Sequence, residues 1–165
     1  ALLHNSSTIY LTEGFSRIRF KAKIRYCTSA RKNVNKYSAL ISDFLHNCGD
    51  ADKGFVNDTE WWIVNGSVKV QIFLTSLEED AELIVAANLF RYTRSNPDLN
   101  EYVLKLNGTF KLKGVSFGIR NKHLVLSFVR PVLGLDPEEL EWMIACIAII
   151  ADEYDDYLLN EFSIA

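Results

Sequence analysis

One run near the end of this chain constrains the rest: Pro131–Phe162, PVLGLDPEELEWMIACIAIIADEYDDYLLNEF. Asp136 suits a helix N-cap, Pro137 the first helical position, and Glu139 completes a capping-box-like pattern. Glu138, Glu139 and Glu141 set negative charge against the positive end of the helix dipole. Leu140, Met143, Ile144, Ile147, Ile150, Ala151, Tyr154 and Leu158 then recur at helical spacing. They form one continuous stripe that must face a core. A second, shorter stripe, Trp142, Cys146 and Ile149, runs along the opposite side. Between Trp142 and Ala151 the helix is therefore apolar all round, which predicts cover on more than one side. The cover is either the domain's own elements or a twin subunit. The apolar run is about half the roughly 20 residues a membrane span needs. Asp152, Glu153, Asp155, Asp156 and Glu161 scatter around the later turns with no ligand His or Gly-containing loop, so they read as a solvated helix end and not as a metal site.

A chain of 165 residues suffices for one domain with a real core. Hydrophobic content of 48% with 12% aromatics places it among globular proteins. Cys27, Cys48 and Cys146 form no CxxC pair, and their odd count at wide spacing fits free thiols in a reducing compartment. Asn5, Asn57, Asn65 and Asn107 each open an N-x-S/T sequence, which would matter only in a secreted protein.

The net charge of −3 hides an asymmetry. Residues 1–32 hold seven Lys or Arg and one acid, Glu13, leaving eleven bases against twenty acids, about −9, in residues 33–165. An acid-poor start rich in Ser and Arg has the composition of an organelle transit peptide. The alternatives are a basic arm or a strand added to the domain. The acidic body argues against nucleic acid as the main partner, because phosphate contacts need a basic face.

The globular body begins near Asn33. Val34, Tyr37, Ile41, Phe44, Leu45 and Cys48 share one helical face, and Gly49 is a stop. Glu60–Val64 reads as a strand, Asn65-Gly66 as a hairpin turn, and Val68, Val70, Ile72 and Leu74 as the buried side of the next strand. Ala81–Tyr92 is a longer strand with Leu83, Val85, Ala87 and Leu89 on one face, and Ile84, Ala86, Asn88 and Phe90 on the other. Asn96-Pro97-Asp98 caps a helix buried through Leu99, Tyr102, Val103 and Leu106. Val115–Arg120 and His123–Arg130 are two further strands about a turn at Asn121-Lys122. The order α-β-β-β-α-β-β-α with hairpin spacing predicts an α+β fold, an antiparallel sheet with helices packed on one face.

Four segments carry a resemblance: LKLNG at 104–108, VSFGIRNKHLVLSF at 115–128, LGLDPEEL at 133–140 and IIADEYDDYL at 149–158. In that order they resemble the YbjN-like family, related in fold to type III secretion chaperones of the CesT and SycE kind. The resemblance covers residues from about 33 onward and leaves out 1–32. It implies a small α+β domain without enzymatic activity, often dimeric, that binds protein segments. Members occur in bacteria, cyanobacteria included, and in plastid-bearing eukaryotes. With the basic N-terminus this points to a plastid stroma, the alternative being the cytoplasm.

No catalytic, cofactor or metal residues are expected. His46 and His123 stand alone, and neither a GxGxxG nor a GxxxxGK[ST] pattern occurs. Three roles remain: a chaperone-like adaptor, a structural or regulatory subunit of a larger assembly, and an enzyme with an unrecognised site. For the first, Trp61, Phe73, Trp142, Cys146 and Ile149 are the candidate partner or dimer surface. Residues 1–32 lack a sustained helical apolar period and carry self-repelling charge. A protein beginning at Asn33 should therefore unfold in urea within ~1 kcal/mol of the full chain, whereas a larger loss would make the arm part of the core.

Overall fold

The computed structural model describes residues 34–49, 51–78, 80–92 and 96–164. The expected arm, 1–32, lies outside them. Helix α1 (Val34–Asn47) precedes strands β1 (Lys53–Asn57), β2 (Glu60–Asn65), β3 (Val68–Leu74) and β4 (Glu82–Arg91). Helix α2 (Pro97–Asn107), strands β5 (Ser116–Arg120) and β6 (His123–Pro131), and helix α3 (Pro137–Glu161) follow. The strands form one antiparallel sheet in the order β1-β2-β3-β4-β6-β5. All three helices lie on one of its faces, as the α+β reading predicts. The sheet holds one strand more than expected. In β1, KGFVN, Gly54 and Asn57 are poor strand formers, and pairing with β2 supplies what propensity does not.

α3 is built as its sequence dictates. The Asp136 carboxylate accepts from the Glu139 backbone N–H at 2.8 Å. The capping box is not closed, because the Glu139 carboxylate is taken by Arg130 instead. Leu140, Met143, Ile147, Ala151 and Leu158 are buried against β3, β4 and β6. From the sheet, Val70, Ile72, Leu83, Val85, Ala87 and Leu126 meet them. α1 packs beside α3, and the Tyr37 hydroxyl accepts from the Gly134 N–H at 3.4 Å. α2 covers the other flank through an aromatic cluster: Tyr102 stands 5.9 Å from Tyr157 and 5.5 Å from Phe162.

Two local readings change. The ladder slips between Asn88 and Phe90 of β4, so Phe90 pairs with Leu124 and packs against the core. A bulge reverses the alternation beyond it, which moves Phe90 off the face shared by Ile84, Ala86 and Asn88. Trp61 also lies inside. It is 1% exposed, faces Ile72 across the ladder, and donates its indole N–H to the Ser42 hydroxyl at 3.1 Å. Trp62, its neighbour, points to the other face.

The two sides of α3 should separate cleanly in stability. Ile147→Ala should cost about 2–5 kcal/mol in urea unfolding, as expected for a fully buried aliphatic side chain. Ile149→Ala, at 61% exposure, should stay within about 0.5 kcal/mol in the isolated chain.

Candidate protein-binding surface

Among the described residues no helix covers the second face of the sheet. Strand alternation places Trp62, Gln71, Phe73, Ile84, Ala86, Val125, Ser127 and Val129 there, and the register sets Phe73 beside Ile84 and Ile84 beside Val129. β4 and β6 lie between β3 and β5, yet the guanidinium of Arg120 on β5 stands 4.6 Å from the Phe73 ring centre on β3. The sheet is therefore curled about this face. The result is an open trough of about 490 Å³ lined by Phe73, Ile84, Ala86, Val125 and Val129, with Thr75, Ser127 and Arg120 as its polar groups.

At the β1 end the same face is closed. The Trp62 indole lies on Gly54, leaving no room for a Cβ. The Lys69 ammonium stands 4.1 Å from the Trp62 ring centre, a cation–π contact that holds the indole flat. The trough thus begins at Phe73 and runs toward β5.

The edges of the sheet differ. Asn107 of α2 accepts from the Phe117 N–H at 2.8 Å and donates to the Phe117 carbonyl at 3.0 Å. One amide side chain so occupies the outward groups of Phe117 on β5. On β1, the Val64 N–H donates to the Asp52 carbonyl at 2.7 Å. Ladder alternation then turns the backbones of Lys53 and Phe55 away from β2. Among the described residues nothing pairs with them, and Phe55 is 60% exposed.

The expected surface residues are divided by the fold. Phe73 is half-buried in the trough wall. Trp142 and Ile149 stand on the solvent side of α3, 47% and 61% exposed, with Trp142 edge-on to Phe128 at 5.7 Å. Trp61 and Cys146 are core residues and reach no surface. The trough draws Ile84, Ala86, Val125 and Val129 from separate strands. Their outward parity was readable for β4, but only the curl of the sheet brings them together.

Among the described residues the two thiols, Cys48 and Cys146, show no activation. Burial pushes the Cys48 and Cys146 thiols above their ordinary pKa, outweighing the nearby Lys53 and Lys113 respectively. The Cys48 thiol donates to the Phe44 carbonyl at 3.3 Å, and His46 beside it in sequence is exposed. A raised thiol is a poorer nucleophile at neutral pH than a free one. Among the described residues no three His, Cys, Asp or Glu side chains gather as metal ligands. Among the described residues no helix is long and apolar enough to cross a membrane.

A curled antiparallel sheet with three helices on one face and an apolar trough on the other defines an α+β fold. It is similar to a chain of the HopA1–SchA chaperone–effector complex, with a TM-score of 0.57 and 14% identity over 75% of this chain and 96% of that one. It is also similar to a chain of the ExsC–ExsE complex, with a TM-score of 0.54 and 14% identity over 74% and 93%. No protein-family model and no curated protein matches the sequence.

The raised thiols give a pH test. At pH 8 both Cys48 and Cys146 should alkylate more slowly than free cysteine, with rates still climbing above pH 9, as mass spectrometry of the folded protein would read. The sign for stability follows. Each thiol favours the folded state below its unfolded pKa, and that contribution is lost as pH rises through the raised folded value. Alkylation at the free-cysteine rate would mean the thiols are not buried as described.

Proposed function

We propose that this domain is a non-enzymatic, chaperone-like adaptor that holds a segment of a protein partner in the trough on the helix-free side of its sheet. The observation that carries this reading is the trough itself. Phe73, Ile84 and Val129 form a row of large apolar side chains on a face that no helix among the described residues covers. An apolar depression of this size bordered by few polar groups suits binding more than bond-making. Similarity to a chain of the HopA1–SchA chaperone–effector complex supports the same role by analogy of fold. The YbjN-like kinship and a plastid stroma as the place of action belong to this proposal.

The proposed assembly is a homodimer through Trp142 and Ile149 of α3. These two large apolar side chains, two turns apart on one face of α3 and about half exposed, each forgo roughly 1–2 kcal/mol of burial while in water. Trp142→Ala with Ile149→Asp should shift a dimer to monomer in sedimentation while the far-UV CD stays native. A wild type that sediments as a monomer at micromolar concentration would end the dimer proposal.

The test of the trough uses the full chain with a photoreactive benzophenone side chain at position 73, and reduced, carboxymethylated α-lactalbumin as an unfolded probe. Crosslinks to the probe at 73, absent for the same group at exposed Asp43 on α1, are expected. Ile84→Lys should weaken binding of the probe by about tenfold or more with the fold intact. Substitutions of His46 or Cys48 should leave binding unchanged. Equal crosslinking at both positions, or binding indifferent to Ile84→Lys, would remove the trough as the site.

A further inference from the structure

We infer that the trough selects a protein segment in which apolar residues are followed by acidic ones, the acids being bound by a basic mouth at the β5–β6 hairpin. The inference rests on the trough being the partner site. Residues 33–165 carry about −9, yet bases gather at this one corner. The register sets Arg91 beside His123 and His123 beside Arg120 on the helix-free face, with Lys122 in the adjoining turn. Arg91, Arg120 and Lys122 are exposed. The ion pairs among the described residues are Lys105–Glu101 and Arg130–Glu139, and neither involves the mouth.

Arg120 joins the two halves of the site. Its side chain leaves the mouth and lays its guanidinium on Phe73 at the trough wall. An Arg on an aromatic ring keeps its fork of N–H donors free for a carboxylate. A carboxylate arriving beside that apolar wall meets a paired charge in partly dry surroundings, where the attraction is least screened. Lys69, the other cation on a ring of this face, is spent on Trp62 at the closed end.

The floor favours side chains over a flat ligand. Ala86, Gly118 and Ser127 are small, while Phe73, Ile84 and Val129 rise around them. A Cβ at Gly118 would meet only Val125, at 3.9 Å, so packing does not require glycine there. Its missing side chain leaves depth that a partner's apolar residue can fill. A nucleic-acid strand needs cations along its whole track. Here they stand at one end, with an apolar floor behind them.

The experiment measures fluorescence anisotropy of the full chain with three labelled 14-residue peptides. They share one apolar half and carry a tail of Glu, Gln or Lys. The Glu peptide should bind about tenfold tighter than the Gln peptide and tighter still than the Lys peptide, with the difference shrinking at high salt. Arg91→Glu with Arg120→Glu, two exposed positions, should invert the order so that the Lys peptide binds best. Equal affinities for all three tails, or an order untouched by the double variant, would overturn the inference. In that case, binding still lost in Ile84→Lys would leave the trough as partner site, so the two failures are distinguishable. No binding of any peptide would remove both. Displacement of the Glu peptide by equimolar oligothymidylate would overturn the inference in favour of a nucleic-acid ligand.

Discussion

Leu140, Met143 and Ile147 of α3, removed from solvent against β3, β4 and β6, are the contact on which the other parts depend. The sheet is curled, and a helix 25 residues long lies on it without losing its stripe from Leu140 to Leu158. α1 and α2 then have little sheet left to cover and dock on the flanks of α3. Tyr37 reaches the segment leading into α3, and Tyr102 enters the aromatic cluster near its end. Hydrophobic burial is thereby concentrated on one side of the sheet. The other side is free to stay half-solvated, and an apolar trough can persist there without being needed for folding.

The parts legible in sequence were those set by local chemistry. Asp136 and Asn96 cap their helices as expected, each side chain accepting the N–H three residues on. Gly49 and Gly66 take the left-handed backbone that a helix stop and a tight hairpin demand. Asn121 and Lys122 adopt it too, without glycine, at the β5–β6 turn. What escaped was set by pairing. In Glu60–Val64 two tryptophans adjoin, and alternation alone says that one goes in and one out. The choice is made by β3, where Trp61 meets Ile72 and Trp62 meets Gln71. Likewise β1 has no strong pattern of its own, and the slip in β4 depends on its partner β6.

The candidate surface was legible to the same degree. Phe73, Trp142 and Ile149 followed from periodicity, because each sits opposite a buried set on its own element. Cys146 belongs to the solvent-side stripe by spacing alone. Its small side chain sits toward one flank of that stripe, where it is covered. The trough is a tertiary object. It exists because twist accumulates over four strands until Arg120 and Phe73 meet, and no segment of the chain encodes that alone.

The unequal edges bear on how the protein can fail. Where both flanks of a sheet are open, each added copy presents a fresh template, and growth runs on into fibres. In this sheet Asn107 blocks one flank at Phe117, while among the described residues nothing pairs with the short β1 flank. Two copies that met through β1 would consume each other's freer side, and the product would offer strand addition little further template. Polymerisation by strand addition is thus hindered on the β5 side, where one asparagine amide takes the groups of Phe117.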